Sequence, residues 1–470
     1  MILLSRQRVI PLLLACAAGL IGSILVIGVD ALSDIARMRL LVSAPAAVAI
    51  LICIRRYLSP THPLFVPSTG VLLAFVILYV PEVYFFLPDV GQFLRNPDTV
   101  ARAGVMIWLA FGALLLGMNL PGSGAFVHLR EKWAVEVRPK RVFVAAVLLE
   151  CAGIAALLLL CRLLNTSSLD YLRGFYTEAM WGGISDSTRP ILMVMKLAFV
   201  GALLGCWLVW HDEVRRGMRI ASWGLVLLPL GIDVIRGSRG NVVFLTLVLA
   251  ATYACRRRGL QQASGIRSAK RLFAMILLMA LPALGAMTFA RDTAWGRLES
   301  DSTSRNMVIT FCHFHKLVFT VDQMDREPEF LHGSTLLAAF VFPIPRAYWR
   351  GKPYGFGTLV GGWMGFPPGS VGIPSTLVGE LYANGGWLGI AVGFVFFGWL
   401  LKNLDPWTAF MGPSGLLPIM VVLNMWSCVG VMRGDFLTAM SNCFTSMGIV
   451  TLVILFARRP SRERSLRHGP

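Results

Sequence analysis

The sequence predicts an all-α, polytopic integral membrane protein with about twelve transmembrane helices and one large outer loop. Of its 470 residues, 56% are hydrophobic and only 14% are charged, whereas a soluble domain has roughly 45–50% and about 25%. Apolar stretches recur along the whole chain, and the segments between them alternate between rich and poor in Lys and Arg. This composition excludes a soluble globular protein.

Each apolar stretch is predicted to be a helix, because lipid provides no hydrogen-bond partners for an unpaired backbone. About 20 helical residues cross a hydrocarbon core of roughly 30 Å. The twelve predicted spans are 9–29, 40–54, 67–87, 101–120, 142–161, 190–210, 221–235, 241–255, 272–290, 386–401, 415–432 and 435–456. Two arginines precede the first span as in a signal peptide, but its length and the spans after it favour a retained helix.

Orientation follows from the positive charges, since short loops rich in Lys and Arg stay in the cytoplasm. With the amino terminus inside, the inner segments hold 24 Lys and Arg in 96 residues and the outer segments hold 18 in 155. We therefore expect a protein of the bacterial inner membrane with both termini in the cytoplasm. The net charge of +18 then fits a membrane surface rather than nucleic acid.

We expect residues 1–470 to form a single transmembrane domain, with residues 291–385 as a large periplasmic loop within it. Loops of this length are usually functional or disordered. The Phe, Trp, Tyr and Pro residues of 336–363 argue against disorder, and the Gly and Pro residues of 351–374 predict a packed loop rich in turns. A short half-helix is predicted at 334–342.

The first of three charged clusters on the outer side is Arg236-Gly-Ser-Arg239-Gly240. It joins two apolar runs of only about 15 residues, so both arginines should lie near the membrane rim, where a cation is costly. Two guanidinium groups between glycines suit the oxygen atoms of a phosphate. The alternative is that the arginines reach lipid head groups as they do at many helix ends.

The second cluster is the segment 343–353, with the sequence PIPRAYWRGKP. It holds three cations and two aromatic residues within seven positions: Arg346, Tyr348, Trp349, Arg350 and Lys352. Such a segment can hold an anionic head group and stack on sugar rings. An interfacial belt of aromatic and basic residues is the alternative.

The third cluster is Arg433-Gly-Asp435, between the last two spans, and its alternative is a simple turn with an ion pair. Candidate proton carriers on the same side include His313, His315 and Glu380, because a carboxylate or imidazole can deprotonate a hydroxyl. Glu380 comes just before a span, where an acid should approach the membrane only if it is paired. Pairing without catalysis is the alternative.

Several motifs are absent from the sequence. The chain has no phosphate-binding loop for ATP, no dinucleotide fingerprint and no Asp-x-Asp metal clamp. Its nine cysteines contain no Cys-x-x-Cys pair, so we expect neither a disulfide framework nor zinc. Cys312-His-Phe-His315 lacks a further ligand set. We therefore expect no metal and no cofactor.

These segments resemble the polytopic O-antigen and exopolysaccharide repeat-unit polymerases of bacteria, often called Wzy-type. The resemblance lies in Arg-Gly-Ser-Arg-Gly at 236–240, in 344–353 with the following Pro-Ser-x-x-x-Gly-Glu380-x-Tyr382-x-Asn-Gly-Gly run, and in Arg433-Gly-Asp435. It covers mainly 236–435. Such proteins are similar to C-type membrane glycosyltransferases and to O-antigen ligases.

The resemblance implies that a glycan is transferred from an undecaprenyl-pyrophosphate carrier to another lipid-linked repeat unit at the periplasmic face. Arg236, Arg239, Arg346 and Arg433 would neutralise the leaving diphosphate, and Glu380 would orient or deprotonate the acceptor hydroxyl. The residues that would bind substrate are Arg350, Lys352, Trp349, Tyr348, Tyr382, Asp435, His313 and His315. A chain-length co-polymerase is the protein partner that the family implies, and membrane lipids are expected around the chain. A glycan ligase and a transporter or flippase of lipid-linked sugars are the alternatives.

Overall fold

The computed structural model describes residues 34–58, 66–85, 97–124, 126, 135–167, 189–235, 239–258, 313–327, 329–344, 348–366, 372–373, 375–406, 416–434 and 436–458. Within these residues the chain is helical, with turns and no strand. The helices are α1 (Asp34–Leu58), α2 (Pro67–Phe85), α3 (Pro97–Asn119), α4 (Pro139–Leu163), α5 (Arg189–Trp210), α6 (Arg216–Ile235), α7 (Arg239–Arg258), α8 (Phe314–Arg326), α9 (Ser334–Phe340), α10 (Phe356–Trp363), α11 (Thr376–Leu404), α12 (Leu417–Arg433) and α13 (Phe436–Ala457).

Among the described residues, six helices are long and apolar enough to cross a membrane. They are Asp98–Asn119, Pro139–Leu163, Ile191–Trp210, Arg216–Ile235, Thr376–Leu404 and Phe436–Ala457. Shorter apolar helices are Pro67–Val80, Asn241–Tyr253 and Ile419–Arg433. The protein is thus a helical membrane protein. Twelve crossings remain a prediction, and the predicted spans 9–29 and 272–290 lie outside the described residues.

The chain forms two compact units. The first contains 1–124, 304–406 and 424–443, and the second contains 125–303, 407–423 and 444–470. In the second unit, α4 and α5 approach closely, since a Cβ at Gly201 would lie 2.8 Å from the carbonyl oxygen of Ala146. Small residues allow such contacts between helices in a membrane. A hydrogen bond joins two residues that flank segment 236–240 in the sequence. Asn241 Nδ2 donates to Asp233 Oδ1 at 3.1 Å.

In the first unit, α3 and α11 pack backbone against backbone. A Cβ at Gly117 would collide with the carbonyl of Val395, and a Cβ at Gly398 would collide with the carbonyl of Leu114. Beside this contact, aromatic rings from three helices fill the core. Phe75 meets Phe111 edge to face at 5.5 Å and Phe394 at 6.0 Å between ring centroids.

Helix α11 is two arms joined by a break at Gly385 and Gly386, whose backbone dihedrals are not helical. A straight helix would separate residues 381 and 389 by about 12 Å. Instead, a Cβ at Gly389 would collide with the carbonyl of Leu381, and a Cβ at Gly393 would lie 2.6 Å from the Leu381 side chain. The first arm, 376–384, therefore folds back along the second, 387–404.

Segments that the charge pattern places on one side of the membrane meet in the first unit. At the end predicted to be cytoplasmic, Asp405 accepts hydrogen bonds from the backbone N–H and the hydroxyl of Ser68, and Arg56 donates to the same hydroxyl at 2.6 Å. At the other end, Arg102 pairs with Asp325. The side of the membrane on which each of these segments lies stays a prediction.

The break in α11 predicts the effect of Gly386→Ala. Gly386 has φ +62° and ψ −148°, a conformation that only glycine adopts readily. We expect a loss of stability of about 1–3 kcal/mol, the usual cost of holding a residue in such a region. Thermal unfolding of the purified protein in lipid nanodiscs measures this loss.

Gly112→Ala provides the matched control, because open space surrounds a Cβ at that position of α3. We expect this variant to unfold at or slightly above the wild-type temperature, since Ala is the better helix former. Equal unfolding temperatures for the two variants would show that the backbone at Gly386 carries no such constraint.

Candidate functional site

A buried carboxylate on the first arm of α11 forms the centre of the candidate site. The side chain of Glu380 is fully buried. Its Oε1 accepts a 2.9 Å hydrogen bond from the hydroxyl of Thr335 on α9, and its Oε2 accepts a 2.9 Å bond from the backbone N–H of Phe436. Phe436 is the first residue of α13. The carboxylate therefore lies at a helix N-terminus, where the helix dipole favours negative charge.

Asn384, one helical turn after Glu380, extends this network. Its Nδ2 donates to Thr335 Oγ1 and to the Glu380 carbonyl, both at 2.7 Å. The hydrogen bonds therefore run in one direction, from Asn384 to Thr335 and from Thr335 to Glu380. The carbonyl oxygen of the Asn384 side chain is buried and accepts no hydrogen bond from the part of the chain that the structure describes, although buried polar atoms are usually satisfied.

The network fixes the turn that holds Arg433. Arg433 ends α12 with an exposed side chain, and Gly434 N–H donates to the Gly430 carbonyl at 3.2 Å. Asp435 lies outside the described residues. The Glu380 carboxylate accepts a hydrogen bond from Phe436 N–H and thereby holds the backbone that follows Gly434. Glu380 is thus bonded to the backbone three positions after Arg433.

His313 and Lys316 form a second polar pair at the start of α8. The side chain of His313 is fully buried, and its backbone N–H donates to the Leu78 carbonyl at 2.9 Å. Its Nδ1 lies 3.0 Å from Lys316 Nζ. An ammonium group only donates, so Nδ1 is the acceptor and the proton of the neutral ring is on Nε2. This Nε2–H is buried and has no hydrogen-bond partner among the described residues.

Burial lowers the pKa of His313 well below its ordinary value, and the positive charges of Lys316 and Arg433 lower it further. The ring is therefore neutral at pH 7. With Nδ1 occupied by Lys316, the imidazole can donate a hydrogen bond through Nε2 but is poorly suited to accept a proton. This differs from the proton carrier that the sequence suggested for His313, because its neighbours are cations.

The remaining predicted residues that the structure describes lie around this cluster. The ring of Tyr382 is buried, with its centroid 6.2 Å from that of Trp387. His315 is half-buried, and Arg350 is exposed. Lys352 Nζ donates to the carbonyls of Phe342 at 2.9 Å and Ile344 at 2.8 Å, so this ammonium closes a backbone turn.

Other predicted residues lie wholly or partly outside the described residues. They are Arg236, Arg346 and Asp435, together with the side chain of Arg239. Glu380 lies further inside a helix than predicted, because α11 begins at Thr376 and not near 386. Within the described residues, no group of three or more His, Cys, Asp or Glu could hold a metal ion.

Sequence reasoning missed Thr335, Asn384 and Lys316. Lys316 carries a signal in the sequence, since it is a cation three positions after a histidine and therefore on the same face of an otherwise apolar helix start. Asn384 carries one as well, since it lies four positions after Glu380 and therefore on the same face of a helix. Thr335 carries none, because its bond to Glu380 depends on how two helices pack.

Comparisons with known proteins give no match to this chain among protein-family models, curated proteins or solved structures.

The neutral state of His313 predicts a pH dependence of stability. The unfolded ring binds a proton near pH 6.5 whereas the folded ring does not. His313 therefore makes its full contribution to the free energy of unfolding above about pH 6.5. This contribution is lost as the pH falls towards the lower pKa of the folded state, by up to about 1.4 kcal/mol per pH unit. Thermal unfolding of the reconstituted protein between pH 8 and pH 5 measures it.

His313→Gln removes the titrating group and should flatten this dependence below pH 6.5. His332→Asn is the control, because His332 is exposed and its positive φ of 46° suits Asn. Parallel loss of stability in the wild type and His313→Gln would contradict a neutral buried His313.

Proposed function

We propose that this protein polymerises lipid-linked oligosaccharide repeat units of O-antigen or exopolysaccharide. In the proposed reaction, a glycan passes from an undecaprenyl-pyrophosphate carrier to another lipid-linked repeat unit at the outer face of the inner membrane. The observation that carries the proposal is the buried Glu380 network, which fixes the turn of the exposed Arg433. This cluster lies at the end of the first unit that the charge pattern predicts to be periplasmic.

The proposed chemistry needs positive charge at the membrane rim. A hydroxyl oxygen of the acceptor sugar attacks the anomeric carbon of the donor, and the bond from that carbon to the diphosphate oxygen breaks. The diphosphate leaves with the electron pair, and the hydroxyl proton is released to water. Negative charge develops on the diphosphate, so fixed cations and hydrogen-bond donors stabilise the transition state. Arg433, whose side chain is exposed, would supply the cation.

Glu380 has a positioning role in this proposal. Both carboxylate oxygens already accept hydrogen bonds, one from a side chain and one from the start of a helix. A carboxylate used in this way holds the Arg433 turn in place. Arg236, Arg239, Arg346 and Arg350 are proposed as further cations on the strength of the sequence resemblance. The enzyme would be a metal-independent glycosyltransferase.

The proposed location is the bacterial inner membrane, with both termini in the cytoplasm and the site facing the periplasm. The orientation comes from the positive charges of the predicted inner segments. The contacts of Asp405 with Ser68 and of Arg102 with Asp325 support only the grouping of these segments by side. A glycan ligase would use the same donor with a different acceptor. A chain-length co-polymerase remains a proposal from the resemblance alone.

One observation favours a flippase of lipid-linked sugars as a second candidate. Interrupted helices such as α11 are common in transporters, where broken helices surround the substrate. In this chain, however, the first arm uses its polar residues to bond Thr335 and Phe436 within the first unit. This arrangement suits a fixed site better than a moving gate.

Replacement of Arg433 tests the polymerase proposal. In a deletion strain, the wild-type gene should restore a ladder of surface glycan on a gel, whereas Arg433→Gln should give single repeats or very short chains. Loss of one charge-assisted contact to the diphosphate should cost about 2–4 kcal/mol of transition-state stabilisation, or roughly 30- to 1000-fold in rate. Protein abundance is measured in parallel.

Arg326→Gln is the matched control, because Arg326 is an exposed arginine that pairs with Asp322 at 2.7 Å on its own helix. It should restore the full ladder. A wild-type ladder from well-expressed Arg433→Gln would remove Arg433 from the site. Repeat units that accumulate on the cytoplasmic side in the deletion strain would indicate the flippase.

A further inference from the structure

Several exposed hydrophobic residues follow Thr335 in the chain. The residues share exposed side chains within the segment 337–349, which the sequence places in the outer loop. They are Leu337, Phe340, Ile344, Tyr348 and Trp349, here called the rim surface. Tyr348 is 86% exposed and Phe340 is 65% exposed. Clustered exposed apolar residues usually mark a surface that binds something.

The position of Phe340 relates the rim surface to the membrane. Its ring centroid lies 6.4 Å from that of Phe436, which is the first residue of the apolar helix α13. In addition, Thr335 on the same short helix bonds Glu380, whose other oxygen holds the N-terminus of α13. The rim surface therefore begins level with the end of a helix that is long enough to cross the membrane.

Hydrogen bonds from Lys352 stabilise the segment that carries Tyr348 and Trp349. Lys352 donates to the carbonyls of Phe342 and Ile344, which ties the end of the loop back to its beginning. Arg350 remains exposed next to Trp349. Tyr348, Trp349 and Arg350 are thus three consecutive exposed residues. Aromatic residues beside a cation are enriched where protein meets lipid head groups.

We propose that the rim surface lies in the lipid head-group region of the outer leaflet and anchors the outer loop to the bilayer. The sequence left two interpretations for this segment, a platform for sugar rings and an interfacial belt. The exposure of Tyr348 favours the belt, since a ring that stacks on sugar in a site normally has protein around it. This proposal does not depend on the glycosyl transfer proposed above.

The anchoring has a consequence for the cations of segment 343–353. Held at the membrane surface, Arg350 would lie at the level of the phospholipid phosphate groups, which a guanidinium binds through charge-assisted hydrogen bonds. The diphosphate of any lipid-linked substrate would lie at the same depth in the membrane. A loop fixed there by its aromatic residues would present its cations to such a group without crossing the bilayer.

Photo-crosslinking tests the proposal in the full chain. The photoreactive residue p-benzoylphenylalanine replaces Tyr348 or, in a second variant, Phe340, and the protein is reconstituted in nanodiscs of phosphatidylethanolamine and phosphatidylglycerol. Both replacements keep an aromatic ring, so both should preserve the fold. After irradiation, mass spectrometry should find phospholipid adducts at both positions.

Position 326 provides the control, because Arg326 is exposed and lies among Asp322, Asp325 and Glu327. It should give no phospholipid adduct above background. Absence of adducts at both 348 and 340, or an equal yield at 326, would overturn the proposal. Transfer of the label at 348 from phospholipid to sugar when lipid-linked glycan is added would also overturn it, in favour of the sugar platform.

Discussion

The placement of Glu380 constrains the outer part of the first unit. A carboxylate removed from water is costly unless hydrogen bonds replace its hydration. Thr335 and the N–H of Phe436 provide those bonds. In consequence, helix α9, the first arm of α11 and the start of α13 are tied together at one point. Arg433 lies on the turn immediately before that point, so its position depends on the same carboxylate.

The break at Gly385 and Gly386 makes this placement possible. Without it, α11 would continue straight and Glu380 would lie along the extended helix, away from Leu381's present neighbours Gly389 and Gly393. Two positions require glycine for different reasons. Gly386 has a positive φ, and Gly389 allows the two arms of α11 to approach closely. Irregular backbone of this kind is tolerated at membrane depth where protein surrounds it.

The helices were largely predictable because the thickness of the bilayer sets the length of an apolar run. The predicted spans 190–210 and 435–456 differ by at most one residue at each end from Arg189–Trp210 and Phe436–Ala457. The predicted start of α11 was ten residues too late. Its first arm is also helical, but the sequence of that arm has no helical periodicity that would distinguish it from a loop.

Glu380 was predictable as an acid next to an apolar run. Its partners were not, since Thr335 and Phe436 are 45 and 56 positions away in the sequence.

The most direct measurement uses purified protein in liposomes with a defined undecaprenyl-diphosphate-linked repeat unit as the only substrate. Chain length and released undecaprenyl diphosphate are followed together. We predict that the glycan grows and that one carrier diphosphate is released for each new linkage, with both slowed in Arg433→Gln. Movement of the substrate across the bilayer without growth of the glycan would contradict polymerisation and support the flippase.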